Sequence, residues 1–157
     1  MWNYPSVLAH RGGGILAPEN TVAALRCAVA HGFHAVEFDV MAVRGDGLVL
    51  MHDPVLGRTV AGEGWVADLT LDELVLMDAG SWHSPVFCGE PVASFADAAA
   101  FCLAHDVWMN AEIKPAPGMD ARTGYLVGEV CAHLTADSVL LSSFSIDALM
   151  AARDVAP

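Results

Sequence analysis

The sequence predicts an α/β protein in which helices cover a mostly parallel sheet. Short β-like runs alternate with helix-like runs along most of the 157 residues, without a fixed-period repeat or a low-complexity segment. Of these residues, 55% are hydrophobic and 17% are charged, which is enough apolar material for one sizeable buried core. Because a helix that links two strands brings the chain back to start a parallel strand, this alternation favours a parallel sheet.

The first part of the chain predicts three strands and one helix. The strands are expected at residues 7–10, 35–43 and 48–52, and the helix at about residues 21–30. Asn20 and Thr21 are predicted to cap this helix, and Gly32 closes it. The turn Gly45-Asp46-Gly47 connects the second and third strands.

The alternation breaks at about residues 54–90, which we interpret as a small insertion within a single domain spanning residues 1–157. This stretch is rich in glycine and predicts one short helix, at residues 71–77. Regular alternation then resumes with a helix at residues 94–105, a strand at 107–113, a helix near 123–134, a strand at 139–142 and a helix from Ser145. The expected total is five strands and five helices.

Charged side chains and histidines cluster at the ends of the predicted strands. They are His10, Arg11, Glu37, Asp39, His52, Glu112 and Lys114. Because side chains alternate along a strand, Glu37 and Asp39 are expected to share one face, as are Glu112 and Lys114. Buried charges are costly unless they are paired or bind an ion. An ion pair between Glu112 and Lys114 is one interpretation, but it leaves the other two carboxylates uncompensated.

These residue types point to the chemistry of a phosphate ester. Three carboxylates without a thiolate favour a hard divalent cation, Mg²⁺ or Ca²⁺, although the two histidines leave zinc open. Imidazoles such as His10 and His52 transfer protons near neutral pH. Arg11 and Lys114 add the positive charge that a phosphate requires.

Composition excludes several classes of partner. Nineteen acidic residues stand against seven basic ones, for a formal net charge of −12, which argues against binding to nucleic acid or to an anionic membrane. No signal peptide is visible, and the longest run without Asp, Glu, Lys or Arg covers only residues 79–89. We therefore expect a cytoplasmic protein without membrane insertion. Its four scattered cysteines are expected to be reduced.

The ordered set of motifs resembles that of the glycerophosphodiester phosphodiesterases, within the phosphatidylinositol-phospholipase-C-like TIM-barrel superfamily. The motifs are His10-Arg11-Gly12, Pro18-Glu19-Asn20-Thr21, Glu37-x-Asp39, Asp46-Gly47, His52-Asp53 and Glu112-Ile113-Lys114. Residues 79–82 and 89–91 are similar to the cytoplasmic bacterial branch of this family. The resemblance implies a TIM (β/α)₈ barrel and a phosphoric diester hydrolase, which cleaves glycerophosphodiesters to sn-glycerol 3-phosphate and an alcohol.

The resemblance also implies a role for each candidate residue. Glu37, Asp39 and Glu112 correspond to metal ligands, His10 and His52 to the catalytic pair, and Arg11 and Lys114 to phosphate contacts. In the implied mechanism, the substrate's glycerol 2-hydroxyl attacks phosphorus, and water then opens the cyclic phosphate. We favour His10 as the base and His52 as the acid, although the sequence does not order them. Asp53 is expected to orient a neighbour or to lie behind the metal ligands, rather than to bind the metal directly.

The chain is short for the implied barrel, which typically needs about 250 residues for eight strand–helix units. About five units are expected here. We favour a fragment of a longer protein. A homo-oligomer or a different chain that completes the barrel stays open, as does a truncated form that binds metal or phosphate without turnover. A related phospholipase-type phosphodiesterase is a further alternative. The sequence leaves the leaving alcohol undetermined.

Overall fold

The computed structural model describes residues 4–135 and 137–156, and it confirms the predicted α/β alternation. In chain order the elements are α1 (Val22–Ala30), β1 (Ala35–Ala42), β2 (Leu48–Leu50), α2 (Leu71–Leu74), α3 (Phe95–Ala104), β3 (Trp108–Ile113), α4 (Asp120–Cys131), β4 (Val139–Ser142) and α5 (Ile146–Val155), with short 3₁₀ turns at Val66–Asp68 and Pro85–Phe87. Within the described residues, no helix is long and apolar enough to cross a membrane.

The sheet has the strand order β2-β1-β3-β4, and it is parallel except at one edge. β1 pairs in parallel with β3, and β3 pairs in parallel with β4. β2 instead runs antiparallel to β1, with Val40 opposite Leu50, because the short turn between them can close a hairpin but cannot form a parallel crossover. The polar residues that follow β2 therefore lie on the return arm of a hairpin.

The predicted first strand is reduced to a single bridge. Ala9 pairs with Val36, and its N–H donates to the carbonyl of Ala35 while its own carbonyl accepts from the N–H of Glu37. β2 occupies the later half of this β1 edge, which leaves only the earlier half for the segment around Ala9. The described sheet therefore contains four strands rather than the five that we predicted.

The core lies between the sheet and its covering helices. In β3, Met109, Ala111 and Ile113 are buried, while the intervening residues are only half-buried. Phe38 of β1 faces the same core and packs against Phe95 of α3, with ring centroids 6.0 Å apart. The alternation therefore leaves the opposite face of β1 and β3 for polar side chains.

α4 and α5 pack so closely that glycine is required at their contact. A Cβ atom added to Gly124 of α4 would lie 2.1 Å from the carbonyl oxygen of Ala148 in α5. α4 begins at Asp120, three residues before the predicted start, and the carboxylate of Asp120 accepts a hydrogen bond of 2.7 Å from Ser145, the N-cap of α5. The two helices are thereby joined at their amino-terminal ends.

The segment at residues 54–90, which we predicted to be an insertion, packs against the β1–β2 hairpin. Val66 and Leu74 of the insertion are buried in one apolar cluster with Met41 and Val49 from the two arms of the hairpin. The short helix α2 ends at Leu74 rather than at residue 77, and a capping box between Thr70 and Glu73 fixes its start. These contacts hold the insertion beside the strand segment that precedes His52.

Candidate active site

A tight loop after Ala9 wraps around the side chain of Glu37. Arg11 adopts a left-handed conformation, with φ of 51°, and its backbone N–H donates to Oε2 of Glu37 over 2.9 Å. The N–H of Gly12 donates to the backbone carbonyl of Glu37 over 3.1 Å. Gly12 has φ of 85°, and a Cβ there would lie 2.9 Å from Cβ of Ala24, so glycine alone permits this approach to α1.

Three carboxylates converge on the polar face of the sheet. Asp39 lies directly beside Glu112 in the parallel register of β1 and β3, and Glu37 precedes Asp39 by two residues on the same face. One oxygen from each of the three lies within 4.8 Å of the others. No other group of this kind occurs in the part of the chain that the structure describes.

Burial makes the negative charges of this cluster unfavourable. Asp39 is 1% exposed and Glu37 is 9% exposed. Burial raises the pKa of Glu37 above its ordinary value, and the neighbouring charges of Asp39 and Glu112 act in the same direction, although the backbone hydrogen bond from Arg11 opposes them. A divalent cation would relieve this repulsion, and an all-oxygen donor set fits a hard ion such as Mg²⁺ or Ca²⁺.

Two cationic side chains border the carboxylates. Nζ of Lys114 lies 3.1 Å from Oε1 of Glu112 and 3.5 Å from Oδ1 of Asp39. The ion pair that the sequence suggested for Glu112 is therefore present, but it extends to a second carboxylate. Nε of Arg11 lies 3.5 Å from Oδ2 of Asp39 and is buried without a hydrogen-bond partner among the described residues. The side chains of Arg11 and Lys114 are 20% and 26% exposed, so both cations are partly open to solvent beside the carboxylates.

The two histidines approach this site from different segments. Nε2 of His10 lies 3.8 Å from Oε2 of Glu37, and its side chain is 70% exposed. His52 follows Met51, whose N–H donates to the carbonyl of Asp39, so the hairpin returns the chain to the level of that carboxylate. The sequence placed His52 at the end of a strand that follows the turn at residues 45–47, and the structure shows that this strand is an antiparallel return.

Asn20 supports the carboxylate cluster rather than a helix end. Its side-chain amide donates to Oδ2 of Asp39 over 2.9 Å, and its carbonyl oxygen accepts from the backbone N–H of Asp39 over 3.1 Å. Thr21 alone caps α1, accepting from the N–H of Ala24. The capping role predicted for Asn20 is therefore wrong, because its left-handed backbone, with φ of 57°, turns the side chain towards β1.

Sequence reasoning gave no role to two further residues, Glu19 and Arg58. Glu19 accepts hydrogen bonds from Arg11 and from Arg58, and Arg58 also contacts Asp53. Burial works against ionisation of Glu19, yet the hydrogen bond from Arg58 and the two nearby arginine charges leave its pKa below the ordinary value. Glu19 at least belongs to a quoted motif, whereas Arg58 lies in the insertion, where no spacing marks it.

The predicted site residues thus lie on the polar face of the sheet or in the loops beside it. Arg11 and Lys114 both border the carboxylate cluster, and His10 lies beside Glu37. Asp53 accepts from its neighbour His52, with Oδ1 2.7 Å from Nδ1, as expected for an orienting residue. The arrangement combines three clustered carboxylates, two cationic side chains and two imidazoles.

Comparison with known proteins identifies the family. The model of the glycerophosphoryl diester phosphodiesterase family matches residues 10–157. A glycerophosphodiester phosphodiesterase of Caldanaerobacter subterraneus is 33% identical in an alignment 155 residues long, which covers 96% of this chain and 63% of that protein. A phosphodiesterase of Oleispira antarctica, solved with the product sn-glycerol 3-phosphate, is 36% identical with a TM-score of 0.90, over 96% of this chain and 62% of that one.

A second solved structure leads to the same conclusion. A glycerophosphodiester phosphodiesterase from Agrobacterium tumefaciens is 29% identical with a TM-score of 0.77, over 94% of this chain and 62% of that one. The chain therefore spans 62–63% of the length of these relatives. The four-stranded sheet and five helices of its described residues form part of a TIM-type barrel. This chain belongs to the glycerophosphoryl diester phosphodiesterase family.

Proposed function

We propose that this chain carries the catalytic site of a metal-dependent hydrolase that converts glycerophosphodiesters to sn-glycerol 3-phosphate and an alcohol. The observation that carries the proposal is the convergence of Glu37, Asp39 and Glu112, one oxygen from each within 4.8 Å of the others, beside Arg11 and Lys114. The product bound to the Oleispira antarctica relative supports the same substrate class. Cytoplasmic location, with a role in glycerol and lipid metabolism, stays part of this proposal.

The three carboxylates are the proposed ligands of one Mg²⁺ or Ca²⁺ ion. Such an ion, when bound, supplies Lewis-acid stabilisation of phosphate oxygens. Arg11 and Lys114, which are both partly exposed beside the carboxylates, bind the same phosphate. These contacts orient the diester and exclude water from its charged oxygens.

The two histidines move the protons. His10 takes the proton of the glycerol 2-hydroxyl, and that oxygen forms a bond to phosphorus while the bond from phosphorus to the leaving alcohol breaks. His52, entering this step as the imidazolium, gives its Nε2 proton to the leaving alkoxide. The neutral His52 then takes a proton from water, whose oxygen bonds to phosphorus while the bond from phosphorus to the glycerol 2-oxygen breaks, and His10 returns its proton to that oxygen. Each proton transfer of this kind contributes about 10²–10⁴-fold to the rate. Asp53 accepts from Nδ1 of His52, which leaves Nε2 as the nitrogen that meets the substrate.

The experiment measures release of glycerol 3-phosphate from glycerophosphocholine by this chain, with Mg²⁺, with Ca²⁺ and with EDTA. We expect release with a metal, and a fall of about 10²–10⁴-fold in His10→Ala and in His52→Ala. The exposed His133 provides a matched control, since His133→Ala removes an imidazole that lies after α4, outside the carboxylate cluster.

Calorimetric titration with each metal separates catalysis from binding. If the chain binds metal and both histidine variants keep that affinity while losing turnover, the proposed roles hold. Equal turnover in His10→Ala and the unmodified chain would contradict them. Metal binding without release by the unmodified chain would instead favour the alternative in which this chain binds metal or phosphate without turnover.

A further inference from the structure

Arg58 joins two loops that reach the site from different parts of the chain. Its Nη1 donates to Oε2 of Glu19 and its Nη2 donates to Oε1, each over 2.8 Å, and Glu19 lies in the loop before α1. Its Nε donates to Oδ2 of Asp53, in the segment after β2. All three nitrogens of the planar guanidinium are therefore engaged, an arrangement that a lysine ammonium cannot reproduce.

Each carboxylate continues the connection towards the site. Oε1 of Glu19 also accepts from Nη1 of Arg11 over 2.8 Å, and Oδ1 of Asp53 lies 2.7 Å from Nδ1 of His52. Five side chains thus form one continuous series of hydrogen bonds, which we call the Arg58 network: Arg11, Glu19, Arg58, Asp53 and His52. It links a proposed phosphate-binding arginine to a proposed proton donor without passing through the carboxylate cluster.

The charges and burial of the Arg58 network favour a fixed geometry. Two arginines alternate with two carboxylates, so every anionic oxygen pair has a cation beside it. The side chains of Glu19 and Asp53 are 13% and 25% exposed, which limits the competition from water for their oxygens. Arg58 itself is 44% exposed, so its orientation depends on its three hydrogen bonds rather than on burial. The hydrogen bond from Arg58 lowers the pKa of Asp53 to about 2, so this carboxylate is ionised near neutral pH.

We propose that Arg58 is a positioning residue. Through Asp53 it fixes the tautomer and orientation of His52, and through Glu19 it fixes the placement of His52 relative to Arg11. This inference rests on the function proposed above for His52. An ionised carboxylate only accepts hydrogen bonds, so Asp53 requires the proton of the neutral imidazole at Nδ1. Arg58 holds Oδ2 of Asp53, which leaves Oδ1 directed at that nitrogen.

The test combines ¹⁵N NMR of His52 with steady-state kinetics on the metal-loaded chain. In the unmodified chain we expect the neutral imidazole to be protonated at Nδ1. In Asp53→Asn the amide can donate to Nδ1, and we expect the proton to move to Nε2. In Arg58→Met we expect a mixture of the two tautomers, because Asp53 loses the group that holds its second oxygen.

The kinetic expectation is a fall in kcat with little change in metal affinity. Arg58→Met should lower kcat about 10–100-fold, the range typical of residues that orient a group at a site, and change the Kd for the metal less than twofold. Arg58→Lys keeps the charge but loses the fork, so we expect only partial recovery of kcat. The exposed Arg26 on α1 provides the matched control, and Arg26→Met should leave kcat and the His52 tautomer unchanged.

The two readouts separate this inference from the proposed function. Suppose that neither the unmodified chain nor any variant shows turnover, but that the His52 tautomer still changes in Asp53→Asn and in Arg58→Met. The positioning role then holds, and the proposed function fails for this chain. If His52→Ala abolishes turnover while Arg58→Met keeps both kcat and the Nδ1 tautomer, the inference is overturned. If circular dichroism shows that Arg58→Met does not fold, Asp53→Asn becomes the deciding variant. An unchanged His52 tautomer in Asp53→Asn then overturns the inference.

Discussion

Replacing Asn20 should destabilise the chain more than a typical loop substitution does. This side chain is 5% exposed and makes two hydrogen bonds to Asp39, one to its carboxylate and one from its backbone N–H. Asn20→Gly removes both partners but tolerates the left-handed backbone, with φ of 57°. Asn20→Ala removes the same partners and adds backbone strain.

The magnitude follows from these contacts. A hydrogen bond to a charged group contributes about 1.5–3 kcal/mol, and a buried N–H left without a partner costs about 1–3 kcal/mol. Because the two terms describe neighbouring groups and overlap, we expect Asn20→Gly to lower the free energy of unfolding by about 3 kcal/mol. Asn20→Ala should lower it by about a further 1 kcal/mol, since a residue with a Cβ is strained in the left-handed region.

Urea unfolding in EDTA, followed by circular dichroism, measures both differences, and calorimetry then measures Mg²⁺ affinity. We expect weaker metal binding in both variants, because Asp39 loses the amide that orients its carboxylate. A loss below about 1 kcal/mol in Asn20→Gly would refute the reasoning, since water would then replace the amide at little cost. Equal stability of the glycine and alanine variants would refute the part of the argument that concerns backbone strain.

Three further expectations concern other parts of the molecule. Gly124→Ala should lower the free energy of unfolding by about 2 kcal/mol, because the new methyl overlaps the carbonyl of Ala148; an unchanged urea midpoint would contradict this. A neighbouring guanidinium lowers the pKa of Asp53 from 3.8 to about 2, so its ionised form stabilises the fold above pH 3.8 and this contribution is lost as the pH falls towards 2. The stability difference between the unmodified chain and Asp53→Asn should therefore shrink over that interval, as acid and urea titrations would show. Burial raises the pKa of Cys102 and Cys131 to about 12, so neither thiol should react with a disulfide reagent at pH 8 until the chain unfolds, and rapid labelling of either in the folded chain would contradict their burial.

Local periodicity accounts for the side-chain arrangement that the sequence predicted correctly. Residues two apart on a strand share a face, so Glu37 and Asp39 had to lie together while Phe38 between them joined the core. The same rule placed Glu112 and Lys114 on one face. The family motifs added the order of the segments, and the family assignment drawn from them is confirmed.

Contacts between distant segments account for the errors and omissions. Asn20 resembles a helix cap in sequence, because Thr21 and α1 follow it. In the structure its backbone is left-handed, and its side chain instead forms a hydrogen bond with Asp39, nineteen residues away. Arg58 lies in a glycine-rich stretch without periodicity, and its partner Glu19 is thirty-nine residues distant. No local pattern encodes such a pair.

The sequence by itself determined the α/β class, the family and the residue types of the site, because these depend on short-range alternation and on ordered motifs. The tertiary structure decided that Asp39 stands beside Glu112, since strand order and register result from the packing of the whole sheet. It also decided that His52 reaches the site on an antiparallel return, and that Arg58 connects it to Glu19. A hydrogen bond between remote side chains depends on how the intervening chain folds, so it becomes visible only when that path is known.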